Sequence, residues 1–248
     1  MKVGVFDSGI GGLTVVKSLL KHKLFEEIIY FGDTARVPYG SKDKNTIVRY
    51  GIEAVEFFKN FDIDLIIVAC NTVSAYALEE MRENASCPVI GVVEAGVLAT
   101  ANAVSKKSSN IFIIGTKATI NSKAYEHGLK NLGYNCLSTK ATPLFVPLVE
   151  EEIFEGAILN AALEHYFKDV TTPDALILGC THFPLLEKQI SKYFENRTML
   201  IHSGDAIVEY LKEKFTLQEK FEEPELKFFA SENPESLRKT AQKWLYDK

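Results

Sequence analysis

The chain has 248 residues, long enough for one large or two modest domains, and its 46% hydrophobic and 25% charged composition is that of an ordinary globular protein. A net charge of −5 and a pI near 5.7 argue against nucleic acid as the main partner. No apolar run approaches the ~20 residues that span a bilayer, and the opening MKVGVFDSG lacks the apolar core of a secretion signal. A cytoplasmic location is therefore expected, with the four cysteines as thiols.

In chain order, residues 3–6 are predicted to be a strand that stops at DSGIGG, a turn rich in glycine, and residues 13–20 a helix. Such a turn can offer N–H groups to an anion, but it is neither a Walker loop nor GxGxxG followed by a suitable acid. An anion-holding turn and a bare turn both stay open. Residues 27–31 form the next strand, ending in GDTARVPYG, where Asp33, Arg36 and Tyr39 are more polar function than a connector needs. From Lys42 the pattern is helical, with Ile47, Tyr50, Gly51, Ala54, Val55 and Phe58 on one face as core contacts. Residues 65–68 are a continuous apolar run, as expected of a central parallel strand covered on both faces. Asn71 and Thr72 are placed to cap a helix carrying residues 75–81. A strand over 89–93, a helix over 95–104 and a polar connector at 106–110 complete this part.

A second series then begins. Residues 111–114 are a strand, GTKAT takes the place of DSGIGG, and Thr119 or Asn121 caps a helix running through Leu132. Cys87 and Cys136, without polar groups beside them, are read as small buried hydrophobes, Cys136 within a strand. In TPLFVPLVEEEIFEG, Glu151 and Glu152 read as solvated surface, while Glu150 follows an apolar stretch able to bury it. A helix over 158–167, a strand over 176–178 that delivers Cys180, and a helix FPLLEKQISKYF with Pro184 in its first turn follow. The remaining elements are a strand over 199–201, a helix over 203–215, a strand over 226–230 and a helix from Asn233-Pro234 through Trp244.

The two series share a plan. DLIIVACNT and DALILGCTH each run from an aspartate through an apolar segment to a cysteine six places on, and Cys70 and Cys180 are 110 positions apart. The fold class this implies is α/β: two similar open, mainly parallel α/β domains related by pseudo-symmetry, with the active site in the cleft between them. Residues 1–93 plus 207–248 are assigned to the first and 94–206 to the second.

Ligands of open parallel sheets bind outside the carboxyl ends of strands, which places Asp7, Ser8, Cys70, Asn71, Thr116, Cys180, Thr181 and His182 on the functional edge. A lone strand-end cysteine usually reads as structural; a matched pair, followed by Asn-Thr and by Thr-His, does not. A disulfide would lock the cleft and be unusual in a reducing compartment. Zinc on Cys70, Cys180, His182 and Asp7 has no support in the spacing. Acyl transfer leaves one cysteine unexplained. Two acid/base groups on opposite faces of one carbon account for both: one thiolate removes a proton and the other thiol returns one from the far side.

DSGIGGLTV, YFGDTARVPYG, ACNT, GTKAT, PLVEEE and GCTHFPLL, in this order and spacing, resemble the glutamate racemases, and the likeness extends to FFASENPESLRKTAQKWL near the end of the chain. The resemblance implies a cofactor-independent isomerase acting on L- and D-glutamate for peptidoglycan synthesis, with no metal. It also implies proton transfer by Cys70 on the D face and Cys180 on the L face, Asp7 supporting the first thiol, His182 the second and Glu150 as an auxiliary. Ser8, Tyr39, Gly40, Asn71, Thr72, Thr116, Thr119 and Thr181 match positions that hold the ammonium and the two carboxylates. A homodimer is expected, and, since the chain starts directly at its first strand, no regulation through an N-terminal extension. Two other functions compete: racemisation of aspartate or another small acid, and non-catalytic binding of an anionic metabolite.

Overall fold

The computed structural model describes residues 1–215 and 220–246; the remainder of the C-terminal segment assigned to the first unit lies outside the described residues. Two parallel sheets form. β1 (Lys2–Asp7), β2 (Glu27–Gly32), β3 (Leu65–Val68) and β4 (Val89–Gly91) lie in the order β4-β3-β1-β2, extended by β9 (Glu225–Ala230) beside β2. β5 (Ile111–Gly115), β6 (Leu137–Ala141), β7 (Ala175–Gly179) and β8 (Met199–His202) lie in the order β6-β5-β7-β8. Read from the other edge, the second order is β8-β7-β5-β6, the first repeated with every number raised by four. The duplication reaches individual bonds. The Asp64 carboxylate accepts from Lys2 N at 2.7 Å and Asp64 N donates to Lys2 O at 2.9 Å. Asp174 makes the same reciprocal pair with Asn110, at 2.8 and 2.9 Å. The repeated aspartate thus sets the entry of the cysteine-bearing strand against the strand beside it.

Twelve α-helices connect and cover these strands among the described residues. α1 (Leu13–His22) buries Leu13, Val15, Val16 and Leu19, and Asp43 caps α2 (Lys44–Phe58) by accepting from Thr46 N. α3 (Asn71–Tyr76) and α4 (Leu78–Asn84) follow β3, and α5 (Val92–Ala103) follows β4. In the second half come α6 (Lys117–Ser122), α7 (Ala124–Asn131), α8 (Phe145–Glu150), α9 (Ala157–Phe167), α10 (Glu187–Tyr193) and α11 (Ser203–Lys214); α12 (Pro234–Tyr246) closes the described chain. α11 packs on both α5 and α1, so one continuous apolar core joins the two sheets.

Several local expectations need correction. β4 ends at Gly91, because the backbone there passes against Ser74, whose Oγ accepts from Val93 N and starts a helix at once. The helix expected over 75–81 is two helices broken at Ala77, and Cys70 holds the N-cap position with Asn71 and Thr72 already inside the first turn. Thr116, rather than Thr119 or Asn121, caps the helix after β5, which stops at the left-handed Lys123 (φ 57°) before α7 begins. FPLLEKQISKYF opens as a 3-10 turn, Phe183–Leu186, before α10. Cys136 is exposed and precedes β6, and Cys87 is half-buried, so neither is the buried hydrophobe expected.

Candidate active site

In each sheet the chain reverses direction beside its first strand: β1 lies between β2 and β3, and β5 between β6 and β7. The crevice at such a switch point opens outside the carboxyl ends of the two strands that flank it. Ser8 and Cys70 therefore sit together after β1 and β3, and Thr116 and Cys180 after β5 and β7. A cavity of about 340 Å³ is lined by all four. Both thiols are free and nearly buried, Cys70 at 6% and Cys180 at 5% exposure.

On the first wall, Cys70 Sγ donates to Ser8 Oγ at 3.5 Å. Burial and the neighbouring charge of Asp7 push the Cys70 thiol up to about 12, so it keeps its proton throughout the neutral range. Asp7, at 0% exposure, lies behind this wall, accepting from Gly9 N at 2.9 Å and from Thr181 Oγ1 at 3.2 Å. Burial raises its pKa, opposed by His182 and these hydrogen bonds. On the second wall, His182 is the pivot. Burial alone would lower its pKa, but hydrogen bonds to Cys180 and Glu150, reinforced by the charges of Cys180 and Asp7, raise it to about 10. As an imidazolium it reaches Cys180 Sγ from Nδ1 at 3.8 Å and Glu150 Oε1 from Nε2 at 3.2 Å. A Cβ on Gly11 would lie 2.5 Å from His182 Nδ1, so the first turn of the chain approaches this imidazole only because residue 11 has no side chain.

The walls meet through hydroxyls. Thr72, Thr116 and Thr119 form a triangle with Oγ1 separations of 2.9, 3.2 and 3.0 Å. Thr14 Oγ1 donates to Thr181 O at 2.9 Å. Asn71 accepts from Tyr125 Oη at 2.6 Å and donates to Ser203 Oγ at 3.0 Å, so both ends of its amide are engaged in holding the two halves together. Tyr39 Oη donates to the buried Asp33, which also accepts from Arg36 Nε at 2.6 Å; Arg36 in turn lies 3.9 Å over the Tyr50 ring. Burial and the bond to Asp33 raise the Tyr39 pKa. Its hydroxyl is thus spent on shaping the loop, leaving its ring and backbone for the cavity.

Of the residues singled out in the sequence, Ser8, Tyr39, Gly40, Cys70, Asn71, Thr72, Thr116, Glu150, Cys180, Thr181 and His182 line the cavity, whereas Asp7 and Thr119 stand behind it. Glu151 and Glu152 do not line it; Glu152 pairs with Lys243 at 2.5 Å. Sequence reasoning missed the apolar wall made by Val37, Pro38, Pro143, Val146 and Pro147, together with Ser41 and Lys117. The signals were there: the two prolines bracketing TPLFVPL, and a lysine inside GTKAT. Among the described residues no group of three His, Cys, Asp or Glu side chains is arranged to hold a metal ion.

The family described as Asp/Glu/Hydantoin racemase matches residues 15–211, most of the chain and both cysteine-bearing strands. The chain belongs to this family. Among curated members, a glutamate racemase of a Nitratiruptor species is 63% identical over 247 residues, covering 100% of this chain and 97% of that protein. The crystal structure of glutamate racemase from Campylobacter jejuni subsp. jejuni superposes with a TM-score of 0.97 at 57% identity, covering 99% of this chain and 98% of the other. That of Francisella tularensis subsp. tularensis, in complex with D-glutamate, gives a TM-score of 0.85 at 36% identity, with 100% and 94% covered. Family membership places this racemase fold's two strand-end thiols in a class of enzymes that invert carbon centres, which is what a shared cavity between them is suited to do.

Proposed function

We propose that the protein interconverts L- and D-glutamate by proton transfer at the α-carbon between two thiols, without a cofactor. The observation that carries this reading is the delivery of Cys70 and Cys180, from equivalent strand ends of two different sheets, into one cavity. In the L-to-D direction the Cys180 thiolate takes the α-proton and the electron pair passes into the α-carboxylate. The Cys70 thiol then gives its proton to the opposite face and is left as the thiolate. D-to-L is the reverse. His182, with Glu150 behind it, stabilises the charge on Cys180; Ser8 and the buried Asp7 serve Cys70.

The α-hydrogen of an amino acid is a very weak acid, so donors must meet the charge that develops on the carboxylate. Ser8, Thr72, Thr116 and Thr181, with the Tyr39–Gly40 backbone and Asn71, are the groups assigned to the ammonium and two carboxylates, and Thr119 acts through its two threonine neighbours. The walls belong to two α/β units, residues 1–93 with 207–248 and residues 94–206. Two working thiols suit the reducing cytoplasm, where D-glutamate enters peptidoglycan synthesis. The groove floored by Leu148 and Ile153 and rimmed by the exposed Leu144 and Ile158 supports a homodimer.

Protein stripped of cofactors and treated with a chelator is expected to racemise glutamate in both directions and to place one solvent deuterium at the α-carbon. Cys70→Ala and Cys180→Ala are each expected to lower turnover by about 10²–10⁴-fold, the contribution of a positioned acid or base. A requirement for pyridoxal phosphate or metal, or near-normal turnover in either variant, overturns the two-thiol assignment. Aspartate turned over with a kcat/KM equal to that of glutamate redraws the substrate.

A further inference from the structure

Charge is unevenly balanced around the cavity. The ionisable side chains on its walls, the thiols and Tyr39 apart, are Glu150, His182 and Lys117. Glu150 and His182 are paired with each other at 3.2 Å, so each meets its counterpart on the wall itself. Lys117 is exposed, lies next to the cavity-lining Thr116, and makes no hydrogen bond or ion pair among the described residues. Among the described residues of the wall it is the cation without a partner there. The ligand proposed above carries two carboxylates against one ammonium, a net charge of −1, and must approach a chain whose own net charge is −5.

The geometry points to Lys117 as the residue that recruits this excess negative charge: a determinant of substrate affinity that takes no part in the proton transfer. The inference rests on the glutamate reading for the identity of the ligand. An exposed cation held in water attracts an anion weakly at contact, but it also draws the anion toward the opening before contact, and both effects weaken as salt screens them. Lys117 is exposed and its ammonium makes no hydrogen bond or ion pair among the described residues, so replacing it is expected to leave the fold intact.

The test is steady-state racemisation by the full chain carrying Lys117→Met, Lys117→Glu or Lys117→Arg, at low and high ionic strength. Lys117→Met is expected to raise KM for glutamate about three- to five-fold, the range of an exposed ion pair, with kcat unchanged. Lys117→Glu is expected to raise KM further, and Lys117→Arg to restore it. A fall of kcat/KM with added salt is expected in the unaltered protein, to flatten in Lys117→Met and to reverse in Lys117→Glu. KM and salt dependence unmoved in Lys117→Glu overturn the inference, as does a fall in kcat that accounts for the whole loss in kcat/KM. Calorimetric titration with L- and D-glutamate reads the same contrast without turnover. A protein that binds glutamate through Lys117 but does not racemise it would sink the two-thiol reading alone.

Discussion

Cys70 and Cys180 occupy equivalent places in a duplicated chain yet meet unequal neighbours. Cys180 faces a histidine that is charged below about pH 10, whereas Cys70 faces a serine hydroxyl with the buried Asp7 behind it and is held as a thiol up to about 12. A charged imidazole beside a cysteine favours the reactive form of the thiol, and only Cys180 has one, at 3.8 Å. In a Cys87→Ser/Cys136→Ser background, which removes the half-buried and exposed thiols, iodoacetamide at pH 8 is expected to modify Cys180 ahead of Cys70, as read by peptide mass spectrometry. His182→Asn is expected to slow alkylation of Cys180 about tenfold or more. The preference should fade only as pH rises toward about 12, where Cys70 also gives up its proton. Faster labelling of Cys70 would overturn this order. The difference between the thiols was half legible: Thr-His after Cys180 is in the sequence, but Glu150 is 30 residues before Cys180 and meets His182 only after folding.

Where elements join, side chains that the reaction does not use fix how one half is attached to the other. At the β8–α11 junction His202 pairs with Asp205 at 3.2 Å, and Asp205 accepts from Ser18 of α1 at 3.1 Å. The bond from His202 holds Asp205 down at about 2, against an ordinary value of 3.8. Burial lowers the His202 pKa, but Asp205 more than offsets this and raises it above 6.5. The Asp205 contribution to stability is complete above about pH 3.8 and fades as pH falls toward 2; that of His202 is complete below about 6.5 and fades as pH rises through its higher folded value. The pair is therefore at full strength between these limits. Because Asp205 is more than half exposed, its worth is limited by solvent screening to about 1 kcal/mol. In this window His202→Gln is expected to lower Tm by about 2–4 °C, and by less as pH rises through the raised pKa of His202; a deficit that does not shrink with pH would mean the loss is one of packing. Element boundaries were hardest to read where such packing intervenes. Nothing in AYALEEM or TINSKAYEH marks the breaks at Ala77 and Lys123, since a lysine at φ 57° has no sequence signature.

For the molecule as a whole, the cleft is held in register by groups that cross between the sheets. Tyr125 of α7 donates to Asn71 of α3, which donates to Ser203 of α11, all three buried. Gly40 lies so close to Thr116 that an added Cβ would come within 2.5 Å of its Cβ, bringing the 37–41 loop onto the opposite wall. Tyr125→Phe leaves the Asn71 carbonyl oxygen buried without its donor, a loss of about 1–3 kcal/mol. A Tm lower by about 2–10 °C is expected for a chain of this size, together with a higher KM, since Asn71 also lines the cavity. Unchanged melting would mean that this bridge does not hold the halves together.

The repeat of strand, turn and thiol, the parallel α/β class and most of the cavity lining were determined by the sequence itself. They are local matters: an apolar run ends, a small polar residue follows, and the chain direction puts both on one sheet edge. Tertiary structure alone decided that Asp7 and Thr119 stand behind the walls, that Glu150 rather than its two acidic neighbours meets His182, and that two proline-containing segments form the apolar wall. Those outcomes depend on contacts between residues far apart in the chain, whose distances are set by how the two sheets pack across α5 and α11. Pattern along a chain records which face a residue turns to, but not what arrives on the other side of it.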